Sequence, residues 1–160
     1  RFAPRTAETT MAEEIIVVDP IAKIKSNTIC YTAEKDKPIS VNIAKHPQFI
    51  SNEYIDGQGI FTFKNKITSI PEKAFFDCSK LDSIIIPESV TEIGNSVFTR
   101  CHYLKMVYCQ STTPPTLGEN AFSNISREAK ICVPKNSVAL YKSANGWKDY
   151  ASKIVGCDFK

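Results

Sequence analysis

The sequence predicts a β-rich α/β solenoid, a short stack of coils with a β-hairpin cap at one end and a helical cap at the other. Three observations carry this expectation. A pattern of apolar residues returns after 23 residues and again after 24. Each copy contains a run whose apolar residues alternate, as in a strand with one face buried. No copy has enough apolar surface to close a core alone, so neighbouring copies must stack.

The first copy runs Ile67-Thr68-Ser69-Ile70-Pro71-Glu72-Lys73-Ala74-Phe75 and continues to Cys78, Leu81, Ile84 and Ile86. The second sets Val90, Ile93, Val97, Phe98, Cys101, Leu104, Val107 and Cys109 on the same positions. The third keeps Leu117, Ala121, Phe122, Ile131 and Val133 but replaces the cysteine by Ile125 and the leucine by Glu128. A terminal repeat is expected to drift in this way, because one of its sides faces water. The period lies within the ~20–29 residues of leucine-rich-repeat units. The expected coils are 67–89, 90–115 and 116–137. Phe75, Phe98 and Phe122 should stack as an aromatic spine between them.

Residues 1–14 read as a tail or linker, and 15–66 as an N-terminal β segment ending in the capping hairpin. Strands are expected at Ile15–Val18 and Ile29–Thr32. Phe49–Ile55 and Ile60–Lys64 flank Asp56-Gly57-Gln58-Gly59, two alternating runs around a Gly-rich four-residue turn. Phe61 and Phe63 fall 23 residues before Ile84 and Ile86, which makes this strand the first of the stack. Residues 138–160 form the C-terminal cap. Asn136 or Ser137 is placed to N-cap a helix through Tyr141, and Trp147, Tyr150, Ala151 and Ile154 have helical spacing.

The run Ile70-x-x-x-Ala74-Phe75-x-x-Cys78-x-x-Leu81-x-x-Ile84-x-Ile86-Pro87 and its second copy resemble the BspA-like leucine-rich-repeat family. Val133-Pro134-Lys135-Asn136-Ser137 with Tyr141 and Trp147 is similar to that family's ending, and Ser51–Phe63 to its entry hairpin. The resemblance spans about residues 49–155. It implies a right-handed solenoid acting as a non-catalytic binding or adhesion module, outside the cell or on an outer-membrane-associated surface. The partners it implies are a host matrix or bacterial surface protein, or a glycan. A second reading is a structural or accessory subunit docked on a larger surface assembly. The resemblance carries no catalytic, cofactor or metal residues.

Composition agrees with a folded protein: 160 residues, 42% hydrophobic and 23% charged, exclude wholesale disorder. A balance of 20 Lys+Arg against 17 Asp+Glu, evenly scattered, does not point to nucleic acid or a membrane surface. The longest aliphatic run is Ile15–Val18, far short of the ~20 residues of a spanning helix. The chain does not open with Met, which reads as a processed form whose export signal is missing.

Six cysteines occur, at 30, 78, 101, 109, 132 and 157, with no C-x₂-C or C-x₄-C pair to suggest zinc. Cys78 and Cys101 share one repeat position and are expected as buried free thiols; Cys109 should also be buried. Cys132 falls on the outward side of its strand, and Cys30 and Cys157 lie outside the repeats, where they are free to pair. A cysteine nucleophile needs a neighbouring base, and the only histidines are His46 and His102. His102 follows Cys101 on a turn where neighbouring side chains diverge.

The candidate binding surface is the concave face of the sheet, lined by the residues between the buried ones. One column reads Thr62, Ile85, Tyr108 and Cys132; its neighbour reads Ile60, Ser83, Met106 and Lys130. Ile85, Met106 and Tyr108 are expected as an exposed apolar patch with polar residues around it. The competing expectation is that residues 1–45 fold across this face and cover it.

Overall fold

The computed structural model describes residues 21–160 in full and the backbone of β1 (Ala7–Thr9) and β2 (Ile15–Val17). These two strands pair antiparallel, so the expected tail contains one described strand; its remainder and residues 18–20 lie outside the described residues. The chain continues through β3 (Thr28–Ala33), β4 (Phe49–Ile55), β5 (Gln58–Phe63), β6 (Ser69–Ile70), β7 (Leu81–Ile86) and β8 (Glu92–Ile93). It ends with β9 (Met106–Cys109), β10 (Thr116–Leu117), β11 (Lys130–Pro134), the helix α1 (Val138–Ser143) and β12 (Ile154–Cys157).

The repeats stack as coils bonded to one another on more than one side. β6, β8 and β10 form a small parallel sheet, and β7, β9 and β11 are the parallel centre of a seven-stranded one. Between the two sheets, the Ala-Phe corners bond from backbone to backbone, with the Thr99 hydroxyl donating to the Asn120 carbonyl and the Glu119 N–H to the Asn95 side-chain oxygen besides. The N–H groups of Lys73, Phe75 and Asp77 donate to the carbonyls of Asn95, Val97 and Thr99, and the next coil repeats this with Ser96, Phe98 and Arg100. Each corner needs two left-handed residues: Lys73, Ser96 and Asn120 at one position, Asp77, Arg100 and Asn124 at the other, all with φ between 56° and 66°. Only the third coil uses Asn at both, the residue that tolerates this conformation best after glycine. Neighbouring coils approach closely where Gly94 and Gly118 sit. A Cβ on Gly94 would stand 2.7 Å from the Glu72 backbone nitrogen, and one on Gly118 2.5 Å from that of Asn95.

The expected spine is present. Phe75, Phe98 and Phe122 stack nearly parallel, with centroids 5.3 and 5.4 Å apart, and Phe61 and Trp147 close its two ends. Trp147 also donates from its indole nitrogen to the Pro115 carbonyl at 2.7 Å, which ties the C-terminal cap to the third coil.

The caps differ from expectation in three places. First, the hairpin turn is Asp56-Gly57 alone, both residues with positive φ; this is the dipeptide favoured in the tightest hairpins, so Gln58 and Gly59 join the strand. Second, β5 does not adjoin the repeats. β3 inserts between β5 and β7, antiparallel to both, because Ile29 and Tyr31 carry their own inward apolar face. The Tyr31 hydroxyl donates to Asn52 at 2.6 Å and accepts from the Ile39 N–H at 3.2 Å, which anchors the polar tip of the ring. Third, the C-terminal cap is only partly helical. Ser137 precedes α1 but donates its hydroxyl to the Thr112 carbonyl instead of capping, and Trp147–Lys153 is 3₁₀. Ile154, expected on that helix, begins β12, which extends the large sheet in parallel beside β11.

Candidate binding surface

The outer face of the large sheet carries a continuous cross-strand row: Ile60, Cys30, Ile85, Tyr108, Cys132 and Val155. Beside it run Thr32, Ser83, Met106 and Lys130. Insertion of β3 shifts the register at the N-terminal end, so Ile60 takes the place expected for Thr62, which instead pairs with Thr28 and Ser51.

This face is not the open patch expected from alternation. Ile85, Tyr108 and Cys132 are buried, as is Ser83, whose hydroxyl lies 2.5 Å from that of Thr32; Thr62, Met106 and Lys130 are half-buried. A second apolar cluster has formed here from Ile21, Cys30, Ile85, Tyr108, Cys132 and Cys157. Cys132, expected on the exposed face of its strand, is buried in disulfide linkage with Cys157, and Cys30 is a buried free thiol rather than the partner of Cys157. The signal for this was in the runs themselves. Ile84-Ile85-Ile86, Val107-Tyr108-Cys109 and Ile131-Cys132-Val133 are apolar without a break, which is how strands buried on both faces read.

Part of the cover is a strap formed by residues 21–26. Ile21 exchanges backbone bonds with the tail at Asp158 and Lys160, just past β12. Over the second coil, the buried Gln110 side chain accepts from the Ile24 N–H at 3.0 Å and donates to the Ala22 carbonyl at 2.9 Å. At the first coil, the Ile67 N–H and the Ser89 hydroxyl both donate to the Ser26 carbonyl. Further along, β2 lies against β12. The strap is therefore bonded to the first coil, the second coil and the tail past β12 before the chain enters β3.

With Ile85, Tyr108 and Cys132 buried, the exposed large apolar side chain of the repeats stands on a coil turn. Tyr103 is 65% exposed and stands at the repeat position of Lys80 and Arg127, a column whose other members are charged. It borders a depression of about 380 Å³ lined by Ala33, Glu34, Lys80, Leu81, Asp82 and Lys105, with Ser79 at its edge. Backbone bonds fix this rim: Glu34 N–H donates to the Lys80 carbonyl and Lys105 N–H to that of Asp82, each at 2.9 Å. The Asp82 carboxylate accepts from the Thr32 hydroxyl at 3.2 Å. Farther along the same margin, Lys153 donates to the carbonyls of Ser126 and Arg127, and burial together with the nearby Lys130 charge lowers its pKa. Sequence reasoning passed over Tyr103. Its position one repeat from Lys80 and Arg127 was the available signal that it faces water.

The thiols are poor nucleophiles here. Burial pushes Cys101 up to about 12 and Cys30 and Cys109 up to about 11, and raises Cys78 in the same direction. Cys101 donates to the Phe75 carbonyl at 3.0 Å, while His46 stacks edge-on against Phe63 in the N-terminal cap. No group of three or more His, Cys, Asp and Glu among the described residues converges as metal ligands would. Among those residues, no helix is long and apolar enough to cross a membrane.

Residues 39–145 match the family model described as BspA type leucine rich repeat region (6 copies). No curated protein matches the chain.

Proposed function

The chain belongs to the BspA-type leucine-rich-repeat family, and from that premise we propose that it is a non-catalytic binding module working at the cell surface or outside the cell. Members of this family are generally surface-associated binding proteins and typically have no catalytic activity. The observation that carries the reading is the rim around Tyr103: an aromatic side chain held out to solvent beside a polar depression on a bonded, rigid stack. Exposed aromatics on rigid frames are the usual anchors of recognition, since little entropy is lost when they are covered. The Cys132–Cys157 disulfide fits an oxidising compartment outside the cytosol. The outer sheet face, first expected as the contact, is occupied by the chain itself and is not part of this reading.

Surface plasmon resonance against purified host matrix proteins, bacterial surface proteins and cell-wall glycans tests it. Saturable binding to at least one, weakened by Tyr103→Ala, is the expected result; no binding to any of them rejects the reading.

A second reading, an accessory subunit on a larger surface assembly, is supported by a different feature. β4 is the edge of the large sheet, with no strand paired on its outer side among the described residues, and it exposes Ile50 (60%) and Ile55 (52%). Unprotected edges invite strand addition by another chain. Loss of co-purification with a partner assembly on Ile50→Lys would favour this reading over the first.

A further inference from the structure

The depression at Tyr103 combines features that select among ligand classes. Its lining includes the buried Ala33 and Leu81. It also includes two acidic residues, Glu34 and Asp82, and two basic ones, Lys80 and Lys105, whose formal charges cancel. An anionic ligand would meet two carboxylates, and a cationic one two lysines. A protein interface needs a contiguous apolar core within its polar rim. The other large exposed apolar side chains among the described residues are elsewhere, Ile50 and Ile55 on β4 and Leu140 on α1. Tyr103 is thus a single anchor in polar surroundings. That combination suits a ligand with an apolar C–H face for the ring and hydroxyls that both donate and accept, for which carboxylates and ammonium groups are complementary partners.

We propose that this depression binds a neutral oligosaccharide, with one pyranose ring stacked on Tyr103 and its hydroxyls bonded to Glu34, Lys80, Asp82 and Lys105. The proposal rests on the reading of the chain as a binding module and names the ligand class of that site. The backbone bonds from Glu34 to Lys80 and from Lys105 to Asp82 fix the main-chain positions from which these side chains reach the ligand.

The test is an array of neutral, sialylated and sulfated oligosaccharides probed with the intact chain and with Tyr103→Ala, Tyr103→Phe and Asp82→Asn. The bound spots are then measured by titration. Binding to neutral spots is expected, weakened at least about tenfold by Tyr103→Ala and within about threefold of the parent for Tyr103→Phe, which keeps the stacking face. Asp82→Asn should weaken it by several-fold. Tyr103 is exposed, so an unchanged thermal melt confirms that these variants remain folded. Binding confined to sialylated or sulfated spots, neutral binding indifferent to Tyr103→Ala, or no bound spot each overturns the proposal. A chain that captures a matrix protein but no neutral glycan fails this proposal and keeps the binding reading; one that captures neither fails both.

Discussion

Phe98 has a parallel ring on each side, Phe75 at 5.3 Å and Phe122 at 5.4 Å, and no exposure to water. Truncating it removes buried area and leaves a void that neighbours bonded coil to coil are poorly able to fill. Phe98→Ala should therefore cost about 3–5 kcal/mol in denaturant melts, and a loss under about 1 kcal/mol would contradict the stack. The buried thiols make a second prediction. A thiol kept neutral by burial binds its proton more tightly in the fold than in the unfolded chain. Its contribution to stability is therefore complete below the ordinary thiol value of 9.0 and is lost as pH rises through the folded value. With Cys30, Cys101 and Cys109 raised to about 11–12, and Tyr31 and Tyr141 raised as well, the unfolding midpoint should fall as pH climbs from 9. Thiol labelling at pH 8 should be slow for Cys78 and Cys101 until the chain is denatured; fast native labelling of either would contradict the assignment. These positions were readable from spacing alone, because a residue equivalent across coils must pack on its own counterpart. Tyr108 was misjudged for a related reason. Repeat spacing identifies which face of a strand a residue takes, but whether that face meets water depends on chain outside the repeat.

Among the elements, β12 shows best what a local pattern leaves open. Ile154 has helical spacing with Trp147 and Tyr150, yet the free edge of β11 offers backbone partners, and a parallel strand satisfies them. β3 enters the opposite side of the repeats for the same reason and interposes between hairpin and stack. The repeat register identified the coils; a strand at Ile29–Thr32 was expected but not its place between hairpin and stack, and nothing periodic announced β12. The disulfide then fastens β12 to β11, Cys132 to Cys157, across 25 residues of chain. In the chain-entropy model a loop of that size contributes about 3–4 kcal/mol. Reduction, or the double change Cys132→Ala and Cys157→Ala, should destabilise the chain by about 2–4 kcal/mol and release β12 before the repeats. Native-state hydrogen exchange would show this as selective loss of protection at Val155 and Cys157. Uniform loss across β7, β9 and β11 would mean the cap and stack unfold as one unit.

At the scale of the whole molecule, a solenoid's weakness is that each coil contacts only its neighbours, so its ends can fray independently. The strap works against this, because residues 21–26 are bonded to the tail beyond β12, to the second coil through Gln110 and to the first coil at Ile67 and Ser89. Cover of this face by residues 1–45 was one of the two expectations from sequence; the route itself was not legible, since it runs to partners up to 137 positions away (21 to 158). Gln110 is its middle anchor, 2% exposed, with both ends of its amide engaged by Ile24 and Ala22. The Lys23–Glu88 ion pair nearby is solvated on both sides and adds little. Gln110→Ala would remove two part-buried hydrogen bonds, to the Ile24 N–H and the Ala22 carbonyl, at roughly 0.5–1.5 kcal/mol each, a cost of about 1–3 kcal/mol. If the strap couples the coils, the loss should be local before it is global. Exchange at the Ile21 and Ile24 amides should speed up, and a hydrophobic dye should bind as the row around Ile85 and Tyr108 is uncovered. A Gln110→Ala chain that loses stability while those amides stay protected and no dye binds would show that Gln110 supports its own coil and that the strap is held elsewhere.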